Sequence, residues 1–332
     1  MKKFLPILFL VLVVKSYSQV GIPVYSDYLS DNLYLLHPSM AGAANANQIR
    51  LTARQQWFDV DDAPNLQTLS INGRIWDKVG LGVIAFADEN GYFSQEGVYG
   101  TFAYHLLLSR NEIDLNQLSF GLSVGLMQNT IDETRFDRSE FDPIIYGGSQ
   151  SDKFFNVDLG MSYYFLNFYA HATVKNLVVP NKEGLFNNEL ESRNQRRYIG
   201  SAGYVFGKYN SPWTYEPSLM LQATEETREA AVDVNFKVYR DLDWGQLWGG
   251  LSYRRSLDGA QYTDNGNSVN NQKLQYITPF LGVNFKSFVF AYTYSYQNND
   301  VVLSNGGFHQ ITLGYDFGKR REPYDCNCPA IN

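Results

Sequence analysis

The sequence predicts an all-β fold: a transmembrane, antiparallel, up-and-down β-barrel of outer-membrane type with about fourteen strands. Three observations carry this expectation. Apolar and polar residues alternate with a period of two along nearly the whole chain. The links between alternating runs are sorted into short and long by parity. Aromatic residues reach 15% and Gly numbers 27, while charged residues make up only 18%, against roughly 25% in an ordinary soluble domain. Mean hydropathy is −0.30, and no apolar run beyond the N-terminus is long enough for a membrane-spanning helix. A net charge of −7 offers no basic face to collect phosphates, so nucleic acid is excluded as a partner. Aromatics this dense also argue against disorder, because they gain by burial.

The elements follow in chain order. Met1-Lys2-Lys3 is a basic start, and Phe4 to Val14 is an apolar stretch of about eleven residues, too short to span a bilayer. Ser16-Tyr17-Ser18 offers small residues for cleavage before Gln19, so residues 1–18 read as a signal peptide and the mature chain as exported. Residues 19–47 show no clear alternation and form an N-terminal segment that could fold into a barrel mouth as a plug. The barrel is expected over 48–317, followed by a periplasmic tail, 318–332. That tail carries the chain's two cysteines, Cys326 and Cys328. An exported Cys-x-Cys can close a strained loop, pair with another chain or bind metal weakly; no His stands beside it, which disfavours metal.

Within the barrel, Leu118 to Leu126 places an apolar residue at every even position and Ser or Gly at every odd one. Val232, Val234, Phe236 and Val238 alternate with Asp233, Asn235 and Lys237, and Ile311, Leu313, Tyr315 and Phe317 with Gln310, Thr312, Gly314 and Asp316. Such half-buried strands begin near Ile49, Gln67, Val79, Gly97, Gln117, Phe154, Phe168, Arg197, Trp213, Ala230, Gln246, Tyr276, Phe288 and Phe308. Tight links follow the second, sixth, tenth and twelfth. Long polar links follow the fifth (Asn129 to Asp152), seventh (Val178 to Gln195), eleventh (Leu257 to Lys273) and thirteenth (Asn298 to Gly307). Ser109 to Asn116 is longer than its class predicts. With both ends periplasmic, the odd-numbered links are extracellular, and no soluble sandwich would sort its loops this way. Tyr25, Tyr28 and Tyr34 precede Trp57 at the outer end of the first strand. Tyr163, Tyr164, Phe165, Phe168 and Tyr169 cluster at a short turn, as an interfacial aromatic girdle would.

By phase, Arg50, Arg54, Asp158, His171, Glu216, Asp233, Lys237, Arg254 and Asp316 point into the lumen. Their mixed signs suggest internal ion pairs and a filled interior rather than a pore selective for one charge. A barrel of this size must be filled or conduct, and both stay open at this point. The four His residues, His37, His105, His171 and His309, have no metal-site spacing; His105 and His171 read as hydrogen-bonded structural residues. No nucleophile elbow or phosphate cradle is present. The acidic run Asp132, Glu133, Asp137, Glu140 and Asp142 lacks the Gly of a calcium loop and reads as solvated surface. Nothing in the sequence calls for catalysis, a metal or a cofactor.

The chain resembles the PorP/SprF family of type IX secretion system membrane proteins of Bacteroidetes, over nearly the whole mature length. His37-Pro38-Ser39-Met40-Ala41-Gly42 is similar to the family's Asn-Pro-Ala-x-Ala-Gly element. Arg54-Gln55-Gln56-Trp57 and Ala63-Pro64, followed by Thr68, match its Arg-x-Gln-Trp and Ala-Pro. Gly80-Leu81-Gly82, Asn156 to Gly160, Tyr163-Tyr164, Phe168-Tyr169-Ala170 and Asn176-Leu177 stand in family order. Leu247 to Arg254 resembles a Trp-x-Gly-Leu-x-Tyr-Arg strand, and Gly306 to Ile311 the family's Gly-Ser-His-Glu-Ile. His37, Met40 and Gln310 depart from the usual Asn, aromatic residue and Glu. If that Glu closes the barrel seam through a charge pair, Gln310 weakens the pair and keeps a hydrogen bond.

The resemblance implies a non-enzymatic outer-membrane barrel of the secretion or gliding machinery. It would dock a secreted cargo protein or adhesin through the cargo's C-terminal domain and contact periplasmic and lipoprotein components, with outer-membrane lipid around it. Phe58, Phe136, Phe141, Ile144, Ile145 and Tyr146 are the loop residues expected to meet such a partner, or to fold back over the barrel mouth. The alternative is an outer-membrane channel for small, hydrophobic solutes with the N-terminal segment as a hatch.

Overall fold

The computed structural model describes residues 32–56, 63–109, 114–135, 147–178, 196–208, 211–225, 227–263, 269–298, 306–319 and 330–331. Fourteen strands close into one antiparallel barrel. They are β1 (Asn47–Gln56), β2 (Asn65–Trp76), β3 (Val79–Asn90), β4 (Phe93–Leu107), β5 (Asn116–Asp132), β6 (Ser149–Phe165) and β7 (Phe168–Lys175). Then come β8 (Arg197–Tyr204), β9 (Trp213–Thr224), β10 (Ala230–Leu242), β11 (Gly245–Ser256), β12 (Gln275–Phe285), β13 (Phe288–Gln297) and β14 (Phe308–Phe317). Each pairs with its chain neighbours, and β14 returns to β1 with Asn47 opposite Phe317 and Gln56 opposite Phe308. That last pairing removes the free edges an open sheet would expose. Phe206–Gly207 extends β8 along β9, and a small hairpin, Ala260–Thr263 with Val269–Gln272, stands in the β11–β12 link.

The alternation has one physical reading in this closure. Outward positions are apolar and exposed, as in Leu69 and Ile71, Phe120, Leu122, Val124 and Leu126, Val234 and Phe236, and Ile311 and Leu313. Inward positions are polar and buried, as in Ser70 and Asn72, Ser119 and Ser123, Asp233 and Asn235, and Gln310 and Thr312. Hydrocarbon lies outside, so the polar face has nowhere to go but in. The two-residue turns at Leu166-Asn167 and Lys286-Ser287 put Leu166 and Lys286 in the left-handed region, at φ 50° and 55°, a conformation that reverses an antiparallel pair tightly but costs a residue with a Cβ.

Two sequence expectations change. Strands β5 and β6 pair as far as Asp132 opposite Ser149, so much of the expected Asn129–Asp152 loop is a strand extension. Its inward side chains find partners: Asn129 accepts from Gln95 at 2.7 Å, and Glu133 accepts from Gly147 N and Gln150, each at 2.9 Å. The aromatic cluster at the β6–β7 turn also divides. Phe165 and Phe168 face outward and exposed, in company with Trp76, Trp213, Trp244 and Phe285, while Tyr164 and Tyr169 are buried in the lumen. One residue of phase separates the two fates, and the alternation itself decides it.

Residues 32–46 lie inside the barrel. A single helical turn, α1 (Leu33–Leu36), is followed by a 3-10 turn over Pro38–Met40 that packs on β4, β5 and β6. From His37 to Ala43 every residue is buried. At the other terminus, Ile331 is 1% exposed and its carbonyl accepts from Asn45 N at 2.7 Å. The end of the expected periplasmic tail therefore tucks against this inner segment. Residues 320–329 of the tail, Cys326 and Cys328 included, lie outside the described residues, as do the expected signal peptide and Trp57.

Candidate functional site: the barrel lumen

The lumen is two unlike halves. Along β2 to β8 it is filled by residues 32–46, held by hydrogen bonds from both side chains and backbone. Tyr34 donates to Thr101 Oγ1 at 2.6 Å, and Thr101 meets Ser123 at 2.6 Å. Asn32 reaches Ser70 at 2.9 Å, and Ser39 reaches Ser162 at 2.6 Å. Lys175 Nζ donates to the Leu35 carbonyl at 2.9 Å, and Arg74 donates to the Gly42 and Ala43 carbonyls at 2.8 and 3.1 Å. A turn this short has most of its backbone groups unpaired by itself, and the wall supplies the partners.

The wall also makes room. A Cβ on Gly121 would stand 2.2 Å from Ser39 N, and one on Gly80 would stand 2.0 Å from the Ala41 carbonyl oxygen. Only glycine admits the segment this closely.

Two histidines of the wall and one of the segment knit the contact. His105 Nε2 lies 3.0 Å from the Ala41 carbonyl, which can only accept, so Nε2 carries the proton and Nδ1 accepts from Ser119 at 2.8 Å. His37 stacks on His171 with ring centroids 4.6 Å apart and bonds Thr173 and Ser201 at 2.8 and 3.2 Å. Burial, reinforced by the neighbouring His171 and Lys175, holds the His37 imidazole well below its ordinary range, so it is neutral. His105 and His171 are buried and hydrogen-bonded, the environment the sequence suggests for them.

The other half, along β9 to β14 and β1, is charged. Arg254 grips Asp233 through Nε at 2.6 Å and Nη2 at 3.0 Å, a fork across directly paired positions of β10 and β11. Glu216 accepts from Tyr169 at 2.5 Å and Tyr239 at 2.6 Å, with Lys237 Nζ 3.8 Å away. Lys237 lies over the Tyr239 and Trp248 rings at 5.0 and 5.4 Å. At the seam, Arg50 meets Asp316 at 2.5 Å, and Arg54 donates to Gln310 Oε1 at 3.4 Å from the position directly opposite. The Gln310 substitution thus keeps a hydrogen bond across the seam.

Of the nine charged or His positions expected in the lumen, Arg50, Arg54, Asp158, His171, Glu216, Asp233 and Lys237 are buried, and Arg254 and Asp316 pair with Asp233 and Arg50. The phase also marks Arg74 and Lys175, which the expectation omitted. The hydroxyl partners Thr101, Ser162, Thr173 and Ser201 carry no signal beyond small and inward. The six expected partner residues, Phe58, Phe136, Phe141, Ile144, Ile145 and Tyr146, lie outside the described residues. Among the described residues, no cluster of three His, Cys, Asp or Glu could hold a metal.

Two cavities occupy the charged half. One, of about 340 Å³, opens among Arg54, Arg197, Arg254, Tyr276 and Phe308 toward the long-loop end. The other, of about 530 Å³, lies among Glu216, Lys237, Trp244, Trp248 and Asn284 toward the short-turn end. They share no lining residue.

The sequence profile of the type IX secretion system membrane protein PorP/SprF matches residues 17–315. The chain belongs to the PorP/SprF family. It is therefore an outer-membrane β-barrel of type IX secretion, and the family is one of membrane components rather than a known enzyme family. No curated protein matches the sequence. Among solved structures, the fold is similar to the TodX monoaromatic hydrocarbon channel in a deltaS2 mutant form, at 10% identity, TM-score 0.50, covering 88% of this chain and 95% of that one. A Pseudomonas aeruginosa FadL homologue matches at 9% identity and TM-score 0.45, over 82% of this PorP/SprF chain and 88% of that one. CdiB from Acinetobacter baumannii matches at 9% identity and TM-score 0.39 over 82% of this chain, which spans only 60% of CdiB.

Proposed function

We propose that this PorP/SprF barrel is a non-enzymatic docking component that retains a secreted surface protein, such as an adhesin, through the cargo's C-terminal domain and couples it to the secretion or motor machinery. The observation that carries this reading is the filled lumen. Residues 32–46 occupy the β2–β8 half through at least three backbone carbonyls anchored by buried Lys and Arg side chains, and two cavities among the described residues share no lining residue. A barrel built this way holds ligands at its ends. A conducting channel would present one continuous polar path.

In this reading the long loops receive the cargo, and the short-turn end, with the tucked Ile331, faces periplasmic and lipoprotein components. Outer-membrane lipid covers the apolar exterior. The expected loop contacts are Phe58, Phe136, Phe141, Ile144, Ile145 and Tyr146. The test is isolation from native outer membranes in mild detergent, with mass spectrometry of what stays bound. A large exported protein held through its C-terminal domain supports docking. A barrel that comes off alone with its cargo expressed, and that conducts or takes up a labelled apolar solute in a planar bilayer, would replace docking by the channel.

A further inference from the structure

Three separated sequence segments singled out above converge on the cavity at the long-loop end. Arg54 comes from the Arg-Gln-Gln-Trp run on β1, Arg254 from the Tyr-Arg end of β11, and Phe308 from the start of β14. Arg197, at the start of β8, completes the basic wall. The arrangement is built and fixed. Arg54 is 5% exposed, its guanidinium lies 5.0 Å from the centre of the Phe308 ring, and Phe308 meets Tyr276 edge-on at 5.5 Å. Arg254 is held in one orientation by its fork on the fully buried Asp233.

Planar guanidiniums locked by stacking and pairing are pre-organised for an oxyanion, since little side-chain freedom remains to be lost on binding. The cavity also carries the opposite demand. Gln222 lines it, and its Oε1 is buried with no hydrogen-bond partner among the described residues. A buried acceptor without a partner calls for a donor in the ligand. Glu229 and Asp258 share the lining, so a bare polyanion would meet two carboxylates there. A ligand with an N–H beside a single carboxylate answers all three features. The volume of about 340 Å³ sits near the lower limit of small-molecule sites, enough for a short segment and far too small for a folded domain.

The geometry points to a recognition site for a carboxylate carried on a short extended peptide, entering from the long-loop end, with Arg54, Arg197 and Arg254 receiving the carboxylate and Gln222 accepting a peptide N–H. This rests on the docking reading and names the chemistry by which a cargo segment would be gripped.

The experiment uses the full-length barrel in detergent and two probes, acetyl-Gly-Ser-Glu-Ser-Gly-amide and its glutamine counterpart, titrated calorimetrically. Wild type should bind the acidic peptide at least tenfold more tightly than the neutral one. Arg197→Gln, at a half-buried position, and Arg54→Lys, which keeps the charge and loses the planar guanidinium, should each weaken the acidic peptide by tenfold or more. Heat-modifiable migration on gels checks that both variants are folded. Equal binding of the two peptides, no binding of either, or unchanged binding by the variants overturns the site. So does displacement of the peptide by inorganic phosphate at lower concentration than by acetate, which would assign the arginines to a phosphate-bearing ligand such as a lipid headgroup. In parallel, cargo retention is measured on native membranes. If wild type retains cargo while the peptides are not discriminated, the site fails and docking stands; if wild type retains no cargo, docking itself fails.

Discussion

The two halves of the lumen solve one problem in different ways. Both line a polar interior with inward side chains, yet the β2–β8 wall carries many small hydroxyl residues and glycines, and the β9–β14 wall carries the paired charges. On the first side the partner is a piece of backbone, residues 32–46, whose carbonyls and amides are satisfied by Arg74, Lys175, His105 and Asn72. Close approach of backbone needs small wall residues, and Gly80 and Gly121 supply it. On the second side two cavities lie along the wall, and its charges satisfy one another across adjacent strands, Arg254 with Asp233 and Lys237 with Glu216. The contrast teaches that the filled half is committed to structure, and the open half is where a ligand can still be received.

The largest way to break this contrast is to remove one charge from the open half. Asp233→Ala would leave Arg254 without its fork in a buried site, an expected loss of about 3–5 kcal/mol seen as a lower urea midpoint of the folded barrel. The double variant Asp233→Ala with Arg254→Met should recover most of it, because the penalty belongs to the uncompensated charge. On the filled half, Gly121→Val drives a side chain into Ser39 and Pro38 backbone. We expect about 1–3 kcal/mol of destabilisation and faster proteolysis within residues 32–46, with the open half unchanged. Ser39→Ala removes the bond to Ser162 and should cost about 1 kcal/mol.

Acid provides a milder test of the same half. His37 is held neutral in the folded state, below its ordinary value of 6.5, so the unfolded chain binds more protons as pH falls past that value. The stability His37 contributes is complete above about pH 6.5 and is lost progressively below it. Hydrogen–deuterium exchange of residues 32–46 at pH 7.5 and pH 5 should show the segment loosening in acid, and His37→Gln should flatten the difference. The smallest effect is expected at the seam. Gln310→Glu would turn the hydrogen bond from Arg54 into a charge-assisted one and remove the unpartnered Gln310 Nε2, raising the unfolding midpoint by an amount worth about 1 kcal/mol.

Much of the molecule was legible because a barrel obeys a period of two. Expected strand starts at Val79, Phe168, Arg197, Trp213, Ala230, Phe288 and Phe308 coincide with the observed ones, since each follows a turn or loop where the alternation begins afresh. Phase alone placed Arg50, Asp158, Glu216, Asp233 and Lys237 inside. The same rule would have placed Tyr164 and Tyr169 inside had it been followed through the turn, where a local cluster of rings suggested a girdle. The extension of β5 and β6 escaped notice because Asn129, Asp132 and Ser149 are the residues of loops, and only pairing with the facing strand makes them strand.

The sequence by itself determined the barrel, the facing of its charges and the family, because alternation, loop parity and motif order are properties of the chain read along its length. The tertiary structure decided which half of the lumen is filled. Residues 32–46 carry no periodicity, and their position depends on contacts such as His37 with Thr173 and Ser39 with Ser162, between residues more than a hundred positions apart. It also decided that Arg54, Arg197 and Arg254 share one cavity, because only closure of β14 on β1 brings strands from the two ends of the chain to a common wall.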